Sequence, residues 1–282
     1  FFTLSNFMGI LQDNAALLAT GIGVTMVLLV GQLDLSVGSI VLCSLSLGAL
    51  CIKELNWDPY LCLFVMVIIG TVLGMINASL IIGLKLNALL VTMATQLAYK
   101  GLTFLFTNAA PVALPQIIKD IRIIKVFGFL PLHVVIVIML AILVQVMLVY
   151  TVFGRKIMTV GSNPAKAKLI GISTDRINFS VFTLCGLFSG VGAAIMAINL
   201  GNATLSSGGG YEFLAVTTIV LGGTSLFGGQ GSIIPGTLCG VIILGVLENG
   251  LSIIGLDPYY FKLLRGLIIF IAMYFDAMKN KQ

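Results

Sequence analysis

GRKIMTVGSNPAKAKLIGISTDR, residues 154–176, is the longest polar interruption with a basic bias in this chain. Its cations are Arg155, Lys156, Lys166, Lys168 and Arg176, against one acid, Asp175. Strongly apolar runs flank it on both sides. Asn163-Pro164 reads as a helix start, with Asn as the N-cap and Pro at the first helical position. Ala165 to Ile170 is then a short helix, and Gly171 a C-cap. A short capped helix in a basic loop between membrane spans suggests a rigid docking piece on the cytoplasmic face. The alternative is a solvated loop whose charges only set topology, and the residues themselves leave both readings open.

The surrounding composition decides the class. Of 282 residues, 59% are hydrophobic and 9% charged, with mean hydropathy +1.15, whereas a soluble domain carries about 25% charged residues. The apolar runs are long and lack the alternation of barrel strands, so the expected fold is all-α: a polytopic helical membrane protein. The net charge of +5 resides in basic loops and speaks to topology and membrane lipid, with no nucleic-acid partner implied. Cys43, Cys51, Cys62, Cys185 and Cys239 fall in or beside apolar runs without metal-ligand spacing. They read as free thiols packing as small hydrophobes.

Working outward, the apolar runs are about 14–31, 40–52, 61–84, 88–107, 130–153, 177–200, 213–226, 233–254 and 260–275, nine candidate spans in all. Residues 1–12 look interfacial, and Trp57 and Tyr60 are placed as interfacial aromatics. A full crossing needs about 20 apolar residues. Several runs are shorter, notably Phe213 to Leu226, so broken or tilted helices are expected. With residues 154–176 inside, parity puts the tail with Lys279 and Lys281 inside and Phe1 outside. Inside cations then outnumber outside ones (Lys53, Lys119, Arg122, Lys125), as the positive-inside rule favours. A chain starting outside at Phe1 suggests a missing N-terminal helix and ten spans in total. The whole of residues 1–282 is taken as one permeation domain with the basic loop inside it.

LVGQLDLSVGSI (29–40) and LGGTSLFGGQGSI (221–233) share a rhythm of apolar run, glycine, short polar break and Gly-Ser-Ile. Each precedes one span, an Asp-Pro-Tyr turn and another span, a faint internal repeat of the kind duplicated transporters carry. Gly70/Gly74, Gly186/Gly190 and Gly236/Gly240 have GxxxG spacing, best read as close helix packing.

Charges inside apolar runs are costly and tend to face an interior. Asp34 lies in the first break, Glu212 starts the short run, and Glu248 with Asn249 lies in the next-to-last one. Lys100 is deep in the fourth run, and Lys262 and Arg265 open the last. Asp34 is read first as a cap for the following helix, and Glu212 as a dipole-stabilising residue near an outer helix start. Asp34, Ser36, Ser225, Glu248 and Asn249 are the candidate pathway or gate residues, with the two breaks lining an exit path. His133 stands alone and reads as incidental. There is no Walker-type GxxxxGK[ST], no HExxH and no catalytic triad. The glycine runs at 208–210 and 228–231 have no adjacent P-loop lysine. No cofactor, metal or catalytic residue is expected in this chain, and any ATP hydrolysis belongs to another subunit.

GQLDLSVGS (31–39), VGSNPAKAKLIGI (160–172), FTLCGLFSGVGA (182–193) and VLGGTSLFGGQGSIIPGTLCG (220–240) together resemble the membrane permease subunits of bacterial sugar ABC importers. This is the ribose-type family, which includes galactose, arabinose, xylose and autoinducer-2 permeases. Gln32 and Leu33 stand where the family's first motif commonly has Gly and Ile. Nucleoside and branched-chain amino acid permeases are relatives with similar Asn-Pro loops, and the LDLSVGS form looks more like the sugar branch. The resemblance implies a permease in the bacterial inner membrane with a cytoplasmic C-terminus, paired with a second permease copy. It implies two cytoplasmic ATPase subunits carrying ATP and Mg, and a periplasmic or lipid-anchored sugar-binding protein. It makes residues 161–172 the coupling helix, with Gly161, Ser162, Asn163, Pro164, Ala165, Lys166 and Lys168 at the ATPase contact. A rival class is an ion-coupled secondary transporter, which broken helices and buried carboxylates also fit.

Overall fold

The computed structural model describes residues 2–126 and 128–279. Twelve helices follow in order: α1 (Leu4–Leu29), α2 (Val37–Leu55), α3 (Pro59–Gly83), α4 (Ala88–Thr107), α5 (Gln116–Asp120), α6 (Leu132–Tyr150), α7 (Val152–Ser162), α8 (Pro164–Leu169), α9 (Thr174–Leu200), α10 (Tyr211–Leu221), α11 (Leu238–Ile253) and α12 (Pro258–Lys279). A wide π-type turn, Ile233–Thr237, leads into α11. Starts are set by local side chains. Asp58 accepts from the N–H groups of Tyr60 and Leu61 ahead of α3, Asn87 from Leu89 ahead of α4, and Ser173 from Arg176 ahead of α9. Each cap satisfies donors that a helix start leaves free.

Seven described helices are long and apolar enough to cross a membrane, counting Ile233–Ile253 as one. Two of the nine expected crossings do not meet that measure among the described residues. At 11 residues, α10 is about 16 Å long by its rise and falls short of a hydrocarbon core of about 30 Å. The other, α12, is long but carries Lys262, Arg265, Asp276 and Lys279. Lys281 lies outside the described residues. The first helix also begins earlier than the apolar run suggests: α1 is continuous from Leu4, so the interfacial-looking start is its first turns.

Burial divides the helices against their hydropathy. Most of α1, α2 and α9 is buried inside the protein, whereas the most apolar span, α6, is only a third buried. A lipid-facing helix must be apolar all round, while an interior helix can carry small and polar groups with protein partners. The α3–α9 pairing shows the small-residue rule. A Cβ on Gly70 would sit 2.7 Å from the backbone of Gly190, and one on Gly74 2.7 Å from the carbonyl oxygen of Phe182. The first two GxxxG pairs thus face each other. Gly236 and Gly240 instead pack against the end of α10 at Gly222 and Thr218.

At the end opposite α7 and α8, short strands tie loops together. β1 (Val112–Ala113) pairs antiparallel with β4 (Asn202–Ala203), and β2 (Lys125–Val126) with β3 (Leu130–Pro131). Arg122 adds a 3.1 Å ion pair to Asp13 of α1.

Candidate functional site

The basic segment holds two helices where its polarity suggests one. α7 hides an apolar face in a cationic sequence: Gly154, Ile157, Val160 and Gly161 are buried at helical spacing, while Arg155 and Lys156 are exposed. Next comes α8, built as its residues dictate. Asn163 Oδ1 accepts from Lys166 N at 2.9 Å, and Pro164 fills the first position. At the other end Gly171 N donates to Lys168 O and Ile172 N to Ala167 O, the paired bonds of a Schellman motif with left-handed glycine at φ +79°. Of α8 only Ala167 is buried. Leu169 is 86% exposed and Ile170 beside it 69%. Two large apolar side chains are thus left uncovered by the protein, in sequence between Lys166 and Lys168 on one side and Arg176 on the other.

Both glycine breaks open with that same motif. After α1, Gly31 N donates to Leu28 O and Gln32 N to Val27 O; after α10, Gly223 N donates to Val220 O and Thr224 N to Ile219 O. Gly31 has φ +73° and Gly223 φ +88°. The faint repeat is therefore a repeated turn.

Past the turns the breaks diverge. In the first, Asp34 is 1% exposed, and its Oδ1 accepts from Ser36 N at 2.9 Å and Ser36 Oγ at 2.6 Å. Asn77 of α3 donates to Ser36 Oγ at 2.7 Å, and Tyr99 of α4 donates to Asn77 Oδ1 at 2.9 Å. Thr92 of α4 accepts from Leu35 N, and the Cys185 thiol of α9 faces Asp34. Asp34 does not cap α2, as its sequence position suggests. It bonds the N–H of Ser36, one residue before the helix, and Ser36 makes no side-chain cap. The carboxyl fastens a turn because the chain folds back before α2 begins. In the second break Ser225 N donates to Gln230 O, and Gly228, Gly229 and Gly231 all have positive φ. Its exit into Ile233–Thr237 leaves two N–H groups without helical acceptors, and Gln145 Oε1 of α6 accepts both, from Ile233 at 2.8 Å and Ile234 at 3.0 Å.

Gly161 joins the three segments. It sits at the end of α7, and a Cβ there would overlap Leu29 O and lie 2.6 Å from Gly229 N. Gly229 N donates to Leu29 O at 2.9 Å. A Cβ on Gly228 would lie 2.7 Å from Gly31 and 3.0 Å from Gly161 O. The end of α7, the first break and the second break therefore meet largely backbone to backbone, with the Ser162 side chain also packed against Gly229. Gly161, Ser162 and Asn163 stand at this junction, and Pro164, Ala165, Lys166 and Lys168 project from it.

The other sequence candidates lie elsewhere. Asp34 and Ser36 are buried in their network, and Ser225, 7% exposed, is in the second turn. Glu248 accepts from Arg265 Nε of α12 at 2.8 Å and also from its Nη2. Asn249 exchanges hydrogen bonds with Asn6 of α1, at 2.8 and 3.1 Å. Both belong to a seam joining α1, α11 and α12 towards the end away from α8. His133 is 2% exposed in the first turn of α6. Glu212 is in the first turn of α10 as expected and is buried: its Oε1 accepts from Gln96 of α4 at 2.8 Å, and its Oε2 faces Gly38. Asn77, Tyr99, Thr92, Gln145 and Gln96 had no sequence signal, because each lies within a long, mainly apolar helix and its partner lies far along the chain. Leu169 and Ile170 had one: apolar residues in a basic loop.

Comparison with known proteins agrees with this architecture. Residues 6–273 match the family model described as the branched-chain amino acid transport system / permease component. Over 99% of this chain and 88% of the relative, the sequence is 32% identical to the ribose import permease protein RbsC of Escherichia coli (strain K12). It is 35% identical to the ribose import permease protein RbsC of Bacillus subtilis (strain 168), covering 98% of this chain and 85% of that one. It is 32% identical to the fructose import permease protein FrcC of Rhizobium meliloti, covering 100% and 80%. No solved structure matches.

Proposed function

This chain belongs to the branched-chain amino acid transport system / permease component family, and from that premise we propose that it passes a ribose-like monosaccharide into the cytoplasm as the multi-pass inner-membrane permease subunit of an ABC importer. The named relatives above import ribose and fructose, which favours a sugar over the amino acids of the family's description.

The partners are a cytoplasmic ATPase that binds ATP and Mg, a sugar-binding protein on the opposite face, and a second permease copy. The single observation that carries the reading is α8: a helix of six residues, capped at both ends, leaving Leu169 and Ile170 uncovered by the protein and joined through Gly161 to both breaks. Apolar side chains exposed on an aqueous loop mark a partner surface, and the junction gives a partner's movement a rigid route into the membrane. Lys166 and Lys168 suit acidic groups at the edge of that contact. In this reading α8 is cytoplasmic, seven spans are joined by the half-crossing α10 and by α12 to make nine segments, and the C-terminus is cytoplasmic. ATP-driven closure of the ATPases moves α8, and the passage opens to one side at a time.

The test is co-purification with the neighbouring ATPase and binding protein in nanodiscs, followed by ATPase activity against a sugar panel. One loaded binding protein stimulates hydrolysis, and Leu169→Asp abolishes ATPase capture while leaving the folded permease intact. Solute uptake driven by an ion gradient with no ATPase attached would overturn the reading, and stimulation by a nucleoside-loaded binding protein would move the substrate class.

A further inference from the structure

We infer, resting on the permease reading, that the sugar's passage runs along a polar strip formed by Gln96 and Lys100 of α4, Gly209 and Gly210 before α10, and Glu212. Lys100 is exposed although it lies seven residues from the outer end of α4 at Thr107, about 10 Å along the axis. An ammonium facing lipid at that depth is strongly disfavoured, so intramembrane cations turn to an interior or to water. Two surroundings of Lys100 point to water. It borders a cavity of about 60 Å³ that Gln96, Gly208, Gly210 and Glu212 also line. Gly209 and Gly210, at the mouth of that cavity, are themselves exposed.

The chain builds this cavity at a cost. The segment after α9 turns inward, so that Gly208 packs on Gly38 and α10 begins beside Gln96, about 12 Å into α4 from its Ala88 end. Glu212 is 5% exposed and held by Gln96 at 2.8 Å. A buried carboxylate in a membrane protein is retained where it does something. One carboxylate, one amide, one ammonium and glycine backbone together offer acceptors and donors with no net charge. That set complements the paired donor and acceptor character of a neutral polyol's hydroxyls. Volume for a few waters or one hydroxymethyl group suits a surface that a sugar slides past, not one that holds it. This strip is distinct from the Asp34 network, whose members are buried, and from the Glu248–Arg265 pair.

Thiol labelling in vesicles containing the permease, its ATPase and its binding protein tests this. Lys100→Cys is compared with Leu105→Cys, which is 77% exposed and about 140° further round the same helix, using a membrane-impermeant sulfonate reagent. Lys100→Cys is expected to label at least about tenfold faster, a difference of about 1.4 kcal/mol. Its rate should change when the ATPase is trapped with nucleotide and fall with transported sugar. Glu212→Gln should lower uptake about tenfold while the ATPase remains bound. If ATP-driven uptake persists in the parent but Lys100→Cys labels no faster than Leu105→Cys, or labels indifferently to nucleotide and sugar, then Lys100 merely reaches the outer interface and the strip is overturned. If the parent shows no ATP-driven uptake, the permease reading falls and the strip with it.

Discussion

The break after α1 and the break after α10 start with the same pair of backbone bonds, Gln32 N to Val27 O and Thr224 N to Ile219 O. Beyond that point the first is fastened by side chains from three helices, Asn77, Tyr99 with Thr92, and Cys185, all converging on Asp34 and its neighbours. In the second, backbone bonds and positive-φ glycines shape the turn, Ser225 Oγ accepts from Phe227 N two residues on, and Gln145 of α6 holds the exit. The same turn thus opens two differently fastened breaks. One is part of the frame. The other touches the frame at Leu29 O and the basic segment at Gly161, which in the proposed transport cycle is where a moving element needs to be.

The sharpest way to break the comparison is at the contact both turns share. Gly161→Val places a branched side chain against Leu29 O and Gly229 N. Backbone atoms cannot repack as side chains do, so the cost is at the upper end of overpacking, about 3 kcal/mol. Uptake should vanish while the chain still inserts in the membrane. Gly171→Ala, at the other end of α8, where no atom lies within 4 Å, carries only left-handed strain of about 1 kcal/mol and should leave most uptake. Equal uptake by both variants would mean that the junction transmits nothing.

Next come variants that strike one break each. Asp34→Ala leaves Ser36 N and Ser36 Oγ without their acceptor in a dry interior, costing about 3 kcal/mol. The loss should appear as a lower melting temperature in detergent. Gln145→Leu strips the acceptor from Ile233 N and Ile234 N, costing about 2 kcal/mol. Here the expected signature is different: a modest fall in melting temperature, with ATP consumed per sugar moved rising several-fold. If Asp34→Ala uncoupled transport without changing thermal stability, the division between frame and moving turn would be reversed.

That division was half visible in the sequence. The Gly-Ser-Ile rhythm pointed to a repeat, and the Asn163-Pro164 start with Gly171 gave α8 to within one residue at either end, because caps are local chemistry. The α7 helix was obscured because four buried residues at helical spacing are diluted by Arg155, Lys156 and Thr159. Asp34 looked like a cap because a carboxylate before a helix usually is one. Its direct partner is Ser36, and the residues that hold Ser36 in turn, Asn77 and Tyr99, come 43 and 65 residues later along the chain than Asp34, where no pattern within a window reveals them. Glu248 was singled out for its charge, as a pathway or interhelical hydrogen-bond candidate, but its partner Arg265 is on the next helix.

The smallest expected effect separates a network from a set of pairs. Tyr99 has one hydroxyl proton and two acceptors within reach, Asn77 Oδ1 at 2.9 Å and Leu73 O at 3.1 Å. Leu73 O already serves the helix of α3, so the proton counts mainly for Asn77. Tyr99→Phe keeps the ring and its packing and removes one bond, worth about 1 kcal/mol alone. The bond also orients the Asn77 amide so that its Nδ2 donates to Ser36 Oγ at 2.7 Å, which in turn leaves the Ser36 proton for Asp34. If these links reinforce one another, Tyr99→Phe and Asp34→Ala combined will destabilise by less than the sum of the two, because the second change removes bonds the first has already loosened. A melting experiment on both singles and the double reads that coupling directly. Strict additivity would make the first break a collection of independent contacts, no more a frame than the glycine turn it faces.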